Sequence, residues 1–179
     1  MASAYAHIAF TPAVRAEQHR LGSAHLYDRA LANDTRTGAW LGPRETAFIE
    51  ARDGVFQGTV TEDGWPYVQF RGGAPGFLKV LDAQTIAYAD YSGNRQYIST
   101  GNLRGNDRIS ILAIDFARAR RLKLLGRATI SEDPALIARL QGDGPMAERA
   151  VVIAVAAFDW NCSRHIPRRL TEAEHRALP

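Results

Sequence analysis

Tyr88–Arg127 reads YADYSGNRQYISTGNLRGNDRISILAIDFARARRLKLLGR, and the fold turns on how this stretch is divided. A strand ends at Asp90, and the polar turn Ser92-Gly93-Asn94-Arg95-Gln96 follows and opens a helix. Two strands come next, one near Arg108–Phe116 and a strongly basic one near Arg120–Ile130. A small polar turn feeding a helix start offers free amide N–H groups and the positive end of the helix dipole in one direction. Asn94, Arg95 and Gln96 add donors, and a guanidinium grips phosphate through two parallel hydrogen bonds. The turn therefore reads as a phosphate cradle. The same residues also make an ordinary strand-to-helix connection with Arg95 in water, and the local pattern leaves both readings open.

Working outward, side chains alternate along the basic strand, so Arg121, Lys123 and Arg127 share one face and Leu122, Leu124 and Gly126 the other. Cations on one face repel unless solvent or an anion relieves them; the alternative is a solvated edge strand charged against aggregation. Upstream, Val55–Thr61 and Trp65–Arg71 flank the tight turn Glu62-Asp63-Gly64 and form a hairpin. Pro66, Val68 and Phe70 make its expected core face. Trp65, Tyr67, Gln69 and Arg71 make the opposite face, meeting a ligand or plain solvent. Gly72-Gly73-Ala74-Pro75-Gly76 allows a sharp bend or a close approach, without the spacing of a dinucleotide fingerprint. Phe77–Leu81, carrying Lys79, and Thr85–Asp90 are the next strands.

Toward the termini, Thr11-Pro12 caps a helix predicted to run to about Leu31. Ala32–Gly42 is a polar connector, and Pro43 opens a second helix reaching about Arg52. Pro134–Leu140 is a short helix, Gln141–Pro145 a loop, and Ala150–Phe158 (AVVIAVAAF) a buried strand. The tail Asp159–Pro167 carries Trp160, Cys162, Arg164 and His165, with Trp160 either stacking on a planar ligand or plugging the core. A short helical end is expected over Thr171–Leu178.

The 179 residues are 46% hydrophobic and 23% charged, with net charge +3, the balance of a globular chain. The basic excess permits an anionic ligand without requiring nucleic acid. Arg104, Arg108, Arg118, Arg120, Arg121 and Arg127 are not interleaved with aromatics, so no nucleic-acid partner is expected. A single cysteine, Cys162, makes no internal disulfide and suits a reducing cytosol. MASAYAHIAF lacks a basic n-region and a long apolar core, so no signal peptide is expected. No apolar run approaches the ~18–20 residues of a membrane span, and a cytoplasmic protein with no membrane partner is predicted. His19 and His25 have no carboxylate or cysteine company, so no metal site is predicted. There is no G-x-S-x-G, Walker A, H-E-x-x-H or C-x-x-C motif. Cys162 and His165 are poorly spaced for a nucleophilic pair.

The order of hairpin, glycine turn, GFLKVLD (Gly76–Asp82), AYADYSGNRQYISTGNL (Ala87–Leu103), NDRISILAIDF (Asn106–Phe116) and RRLKLLGRA (Arg120–Ala128) resembles the pyridoxamine 5′-phosphate oxidase-like, FMN-binding split-barrel family. The tail FDWNCSRHIP (Phe158–Pro167) is similar to one bacterial branch of it. The resemblance implies a mainly β, α+β fold: a six-stranded Greek-key split β-barrel with flanking helices and an N-terminal helical arm. It divides the chain into an arm over 1–42, an FMN-binding domain over 43–167 and a tail over 168–179. It implies a homodimer with FMN in a groove at the two-chain interface. Gln69 and Arg71 would contact flavin and phosphate tail, and Lys79 would lie near the flavin. Asn94, Arg95 and Gln96 would grip the phosphate with help from Ser99. Arg121 would reach the flavin ring with Lys123 beside it, and Trp160 and His165 would approach from the tail across the dimer. A cation near the flavin ring favours its reduced form. The tail spacing and the longer phosphate turn depart from the true oxidases, so the expected function is an FMN-dependent oxidoreductase acting on a different small molecule. Two alternatives stand beside it: a non-catalytic flavin or haem module for stress response or cofactor storage, and use of the deazaflavin F420 in place of FMN. No residue reads as a defined general acid or base, and the catalytic residues stay unassigned.

Overall fold

The computed structural model describes residues 2–32, 37–142, 146–161 and 164–176. The chain opens with α1 (Ser3–Ala9), which carries no side-chain cap and gave no sequence signal. Thr11 Oγ1 then accepts from the Val14 amide, and Pro12 starts α2 (Pro12–Arg20). The helix expected to continue to Leu31 stops here. Gly22 takes φ +74°, and the Ser23 amide folds back to the Gln18 carbonyl at 2.8 Å, closing the last turn as a left-handed glycine cap does. A 3-10 turn (Ala24–Tyr27) and α3 (Asp28–Ala32) follow. Next comes α4 (Pro43–Glu50), whose Glu45 carboxylate accepts from the Gly42 amide at 3.1 Å.

The strands are β1 (Gly54–Val60), β2 (Pro66–Gly72), β3 (Lys79–Asp82), β4 (Thr85–Asp90), β5 (Arg108–Asp115), β6 (Arg120–Ser131) and β7 (Arg149–Asn161). They form one antiparallel sheet in the order β2-β1-β5-β6-β7-β4-β3, seven strands where six were expected. Helices α5 (Ile98–Gly105) and α6 (Pro134–Leu140) bridge β4 to β5 and β6 to β7, and α7 (Glu172–Arg176) lies in the tail. Cys162, on which the weak nucleophile reading fell, lies outside the described residues.

β2 and β3 are the free edges, with no ladder between them among the described residues. The sheet nevertheless curls round. Tyr88 on β4 donates from its hydroxyl to Gln57 Oε1 on β1 at 2.5 Å, although these strands are not neighbours. The concave side holds the main core: Val55, Ile86, Ile109, Ile111, Leu122, Leu124, Val151 and Ile153. β6 and β7 form the longest pairing and carry a bulge beside Gly126. A Cβ there would come within 2.6 Å of the Ala154 carbonyl, so only glycine fits.

The pleat of β2 runs opposite to expectation. Gln69 pairs with Gln57, which is fully buried, and Arg71 pairs with Val55, so Tyr67, Gln69 and Arg71 face inward. Phe70 pairs with Phe56, and Val68 and Phe70 are 64% and 58% exposed. The physical reason is that the interior beside this edge is polar, built from Gln57, Thr59 and Tyr88. A hydrophobic-in rule therefore assigns the wrong face. On the outer face, α1 packs on β6 and β7: Tyr5 sits under Lys123 Nζ at 4.9 Å, and the Ala2 amide donates to Asp159 at 2.8 Å.

Candidate functional site

The split between β2 and β4 is closed by side chains rather than by a ladder. Arg71 Nη1 lies 3.1 Å from Asp90 Oδ1, and Arg149 Nη1 lies 3.6 Å from Asp90 Oδ2. Ser99 on α5 donates to Gln69 Oε1 at 3.0 Å, and Asn102 donates to Thr59 Oγ1 at 3.0 Å. Arg149 also pairs with Glu148 and stacks 4.8 Å over the Tyr97 ring. The register explains the convergence. Asp90 ends β4 opposite Arg149, the first residue of β7, so both charges fall at the rim of the split.

Two adjoining cavities flank this pair. The first, of about 440 Å³, is lined by Arg71, Lys79 and Tyr88 together with the apolar Phe70, Pro75, Phe77 and Leu140. The second, of about 260 Å³, is polar, with Tyr67, Gln69, Asn94, Gln96 and Thr100. Arg71, Asp90, Tyr91 and Gly93 form the wall common to both.

The turn above the second cavity differs from expectation. Helix α5 starts at Ile98, so Ser92–Gln96 precede the helix rather than open it. The Arg95 amide donates to the Ser92 carbonyl at 3.0 Å and the Gln96 amide to Asn94 Oδ1 at 3.2 Å, which uses two of the amides a helix start would have left free. Arg95 and Tyr97 adopt left-handed φ values of 59° and 52°. Such conformations cost about 1–3 kcal/mol each and gather at ligand clamps and switch regions.

Electrostatics single out two groups. Burial pushes the Asp90 carboxyl above its usual range, against the pull of Arg71 and Arg149, and Glu148 adds to the rise. Burial likewise drives the Tyr88 phenol well up, so it stays protonated and donates to Gln57. Arg71 Nε and Gln57 Nε2 are buried without a hydrogen-bond partner.

Of the candidate residues, Gln69, Arg71, Lys79, Asn94 and Gln96 line the two cavities, and Ser99 holds Gln69 from behind. Arg95 is exposed on the same turn but lines neither cavity. Arg121 and Lys123 lie on the opposite face of the sheet, in register with Ile114 and Leu112, and Arg121 Nε is buried without a partner. Trp160 packs edge-on against Phe48 at 4.7 Å, and its indole donates to Glu45 at 2.7 Å. Arg44 and Arg120 stack on the same indole at 4.2 and 4.8 Å. His165 is exposed in the tail. Sequence reasoning missed Tyr88, Asp90, Thr100, Glu148 and Arg149 as site residues. The signal available was charge placed at strand ends, Asp90 closing one apolar run and Arg149 opening another.

With this geometry in view, comparison with known proteins settles the lineage. The family model described as pyridoxamine 5′-phosphate oxidase matches residues 41–162. The chain belongs to the pyridoxamine 5′-phosphate oxidase family. The match spans the sheet and the whole split, and leaves α1–α3 and the tail outside. No curated protein matches the sequence. Among solved structures, a HupZ variant from Group A Streptococcus superposes with TM-score 0.57 at 18% identity, covering 67% of this chain and 98% of that one. A protein related to general stress protein 26, from Clostridium acetobutylicum, gives 0.52 at 18%, covering 69% and 87%. An FMN-binding protein from Syntrophomonas wolfei gives 0.51 at 12%, covering 81% and 95%. At these identities the likeness is one of fold.

Proposed function

We propose that this member of the family binds FMN in the split between β2 and β4 and serves as an oxidoreductase for a small molecule other than pyridoxamine 5′-phosphate. The observation that carries the reading is the convergence on one cleft of Arg71, Lys79, Asn94 and Gln96, with Arg71 Nε buried and unpartnered. A buried donor without an acceptor costs about 1–3 kcal/mol, and an anionic ligand supplies that acceptor. The donor set fits the group. Asn94, Gln96 and Arg71 suit a phosphate in the polar chamber, and the apolar lining with Lys79 suits a planar ring system in the larger one. FMN supplies the redox step when bound. The chain's own residues orient it, shield it from water behind Phe77, and place cations against its phosphate.

Arg121 and Lys123 face away from this cleft, so one chain cannot bring them to it. A second copy can. Phe56, Val68 and Phe70 are 39%, 64% and 58% exposed and run as a row toward Leu112 and Lys123, an apolar face suited to a homodimer seam. In this proposal Arg121, Lys123 and His165 reach the partner's flavin. Trp160 instead ties β7 to α4, because its indole N–H is committed to Glu45.

The test is a mass spectrum of the small molecule released on denaturing the purified protein. FMN is expected. A deazaflavin would keep the cleft and change the cofactor. No released flavin, together with no uptake of added FMN, would overturn the reading. Anaerobic bleaching of bound flavin by NADPH or NADH then separates an enzyme from a carrier.

A further inference from the structure

Asp90 is a carboxylate that the flavin reading leaves without a task, and the inference drawn from it rests on the phosphate site proposed above. It is 4% exposed in the wall common to both cavities. Arg71 faces it from β2, Arg149 and Glu148 from the start of β7, Thr100 from α5, and Tyr88 from its own strand. The charges of Arg71, Arg149, Asp90 and Glu148 cancel, so the guanidinium best placed for a phosphate is already neutralised by a carboxylate at 3.1 Å. A dianion brought to Arg71 must share that guanidinium with Asp90. Two anions on one site cannot both stay ionised cheaply, and the usual resolution is that one takes a proton.

We propose that Asp90 takes up a proton from solvent when a phosphate-bearing ligand enters the cleft, so that ligand binding and the protonation of Asp90 are linked. Asp90 is then a positioning residue. Ionised, it holds Arg71 across the split in the ligand-free chain. Neutral, it releases Arg71 Nη1 to the phosphate, while Ser99 still holds Gln69 across the split. Burial already lifts the Asp90 carboxyl above its usual range before any ligand arrives, which lowers the cost of the exchange. Linkage makes the effect reciprocal: affinity falls as pH rises through the liganded pKa of Asp90.

The experiment is calorimetric titration of FMN into the full chain at about pH 7.5, where the phosphate is a dianion, in two buffers of different ionisation enthalpy. The wild type is expected to take up protons as FMN binds, and Asp90→Asn none. A second measurement does not depend on the variant folding: carboxyl carbon NMR of Asp90 in the wild type, titrated with and without saturating inorganic pyrophosphate. Its pKa is expected to rise on saturation. FMN binding with no proton uptake and an unmoved Asp90 titration overturns the proposal and leaves the flavin reading intact. A shift with pyrophosphate but no FMN binding supports the proposal and removes the flavin. A protein that binds neither overturns both.

Discussion

Asp90 and Asp115 are both buried aspartates standing between two arginines, yet their carboxyls move in opposite directions. At the corner between β5 and β6, burial raises Asp115, but the Arg118 amide at 2.9 Å and the Arg52 guanidinium at 3.5 Å outweigh it, and its pKa ends below the usual range. At the split, burial raises Asp90, Arg71 and Arg149 fail to offset it, and Glu148 adds a like charge. The difference is one of satisfaction. Asp115 fastens a turn whose partners exist for it. Asp90 stands among groups arranged for something else, which is what a ligand cleft requires. The corner is built for stability, and in our proposal the split serves exchange of partners.

That contrast can be broken at several points. Asp115→Ala removes the carboxylate from a buried pair and leaves Arg52 uncompensated, so urea unfolding should show a loss of about 3 kcal/mol or more, with FMN affinity per folded molecule unchanged. Arg71→Leu should do the reverse. Loss of a buried, charge-assisted phosphate contact of about 2.7 kcal/mol weakens FMN binding roughly 100-fold in a fluorescence titration. Stability should fall less there than at Asp115, because Arg149 still pairs with the carboxylate left behind. Phe70→Glu places a charge in the exposed row on β2 and should leave the chain monomeric in sedimentation velocity, if that row is the seam between copies.

The subtlest separation is in the pH dependence of stability. A carboxyl with a lowered folded pKa contributes stability that is present above its unfolded pKa and lost as pH falls through its folded one, so Asp115 should add a decline on the acid side. A carboxyl with a raised folded pKa contributes stability that is present below its unfolded pKa and lost as pH rises through its folded one, so Asp90 should add a decline in the opposite sense. Unfolding midpoints of Asp115→Asn and Asp90→Asn across acid pH should each flatten the matching slope.

Much of the frame was legible in the residues. The Asp-Gly turn of the first hairpin, the apolar alternation of β6, and the Pro134 start of α6 are all local rules that the tertiary structure leaves unaltered. What misled was any inference that needed to know what lay opposite. The facing of β2 depends on Gln57 and Tyr88 being buried polar neighbours, which are distant in sequence. α1 has neither cap nor distinctive periodicity, and it exists because Ala4 and Tyr5 pack on Ala157. The break after α2 rests on one glycine with positive φ in a pattern that otherwise continues. In the site, alternation along β2 put Arg71 on the face that meets ligand or solvent, and Lys79 entered only through the family resemblance. Asp90 and Arg149 acquire meaning only through their register across β4 and β7.

The most direct test of the cleft as a cofactor site is a crystal structure of the protein grown with FMN. The account predicts the phosphate within ion-pair distance of Arg71 and hydrogen-bonded by Asn94 and Gln96, with the ring system reaching toward Lys79. A flavin seated elsewhere, or a cleft where Arg71 still grips Asp90 and no flavin is held despite saturating FMN, would contradict it.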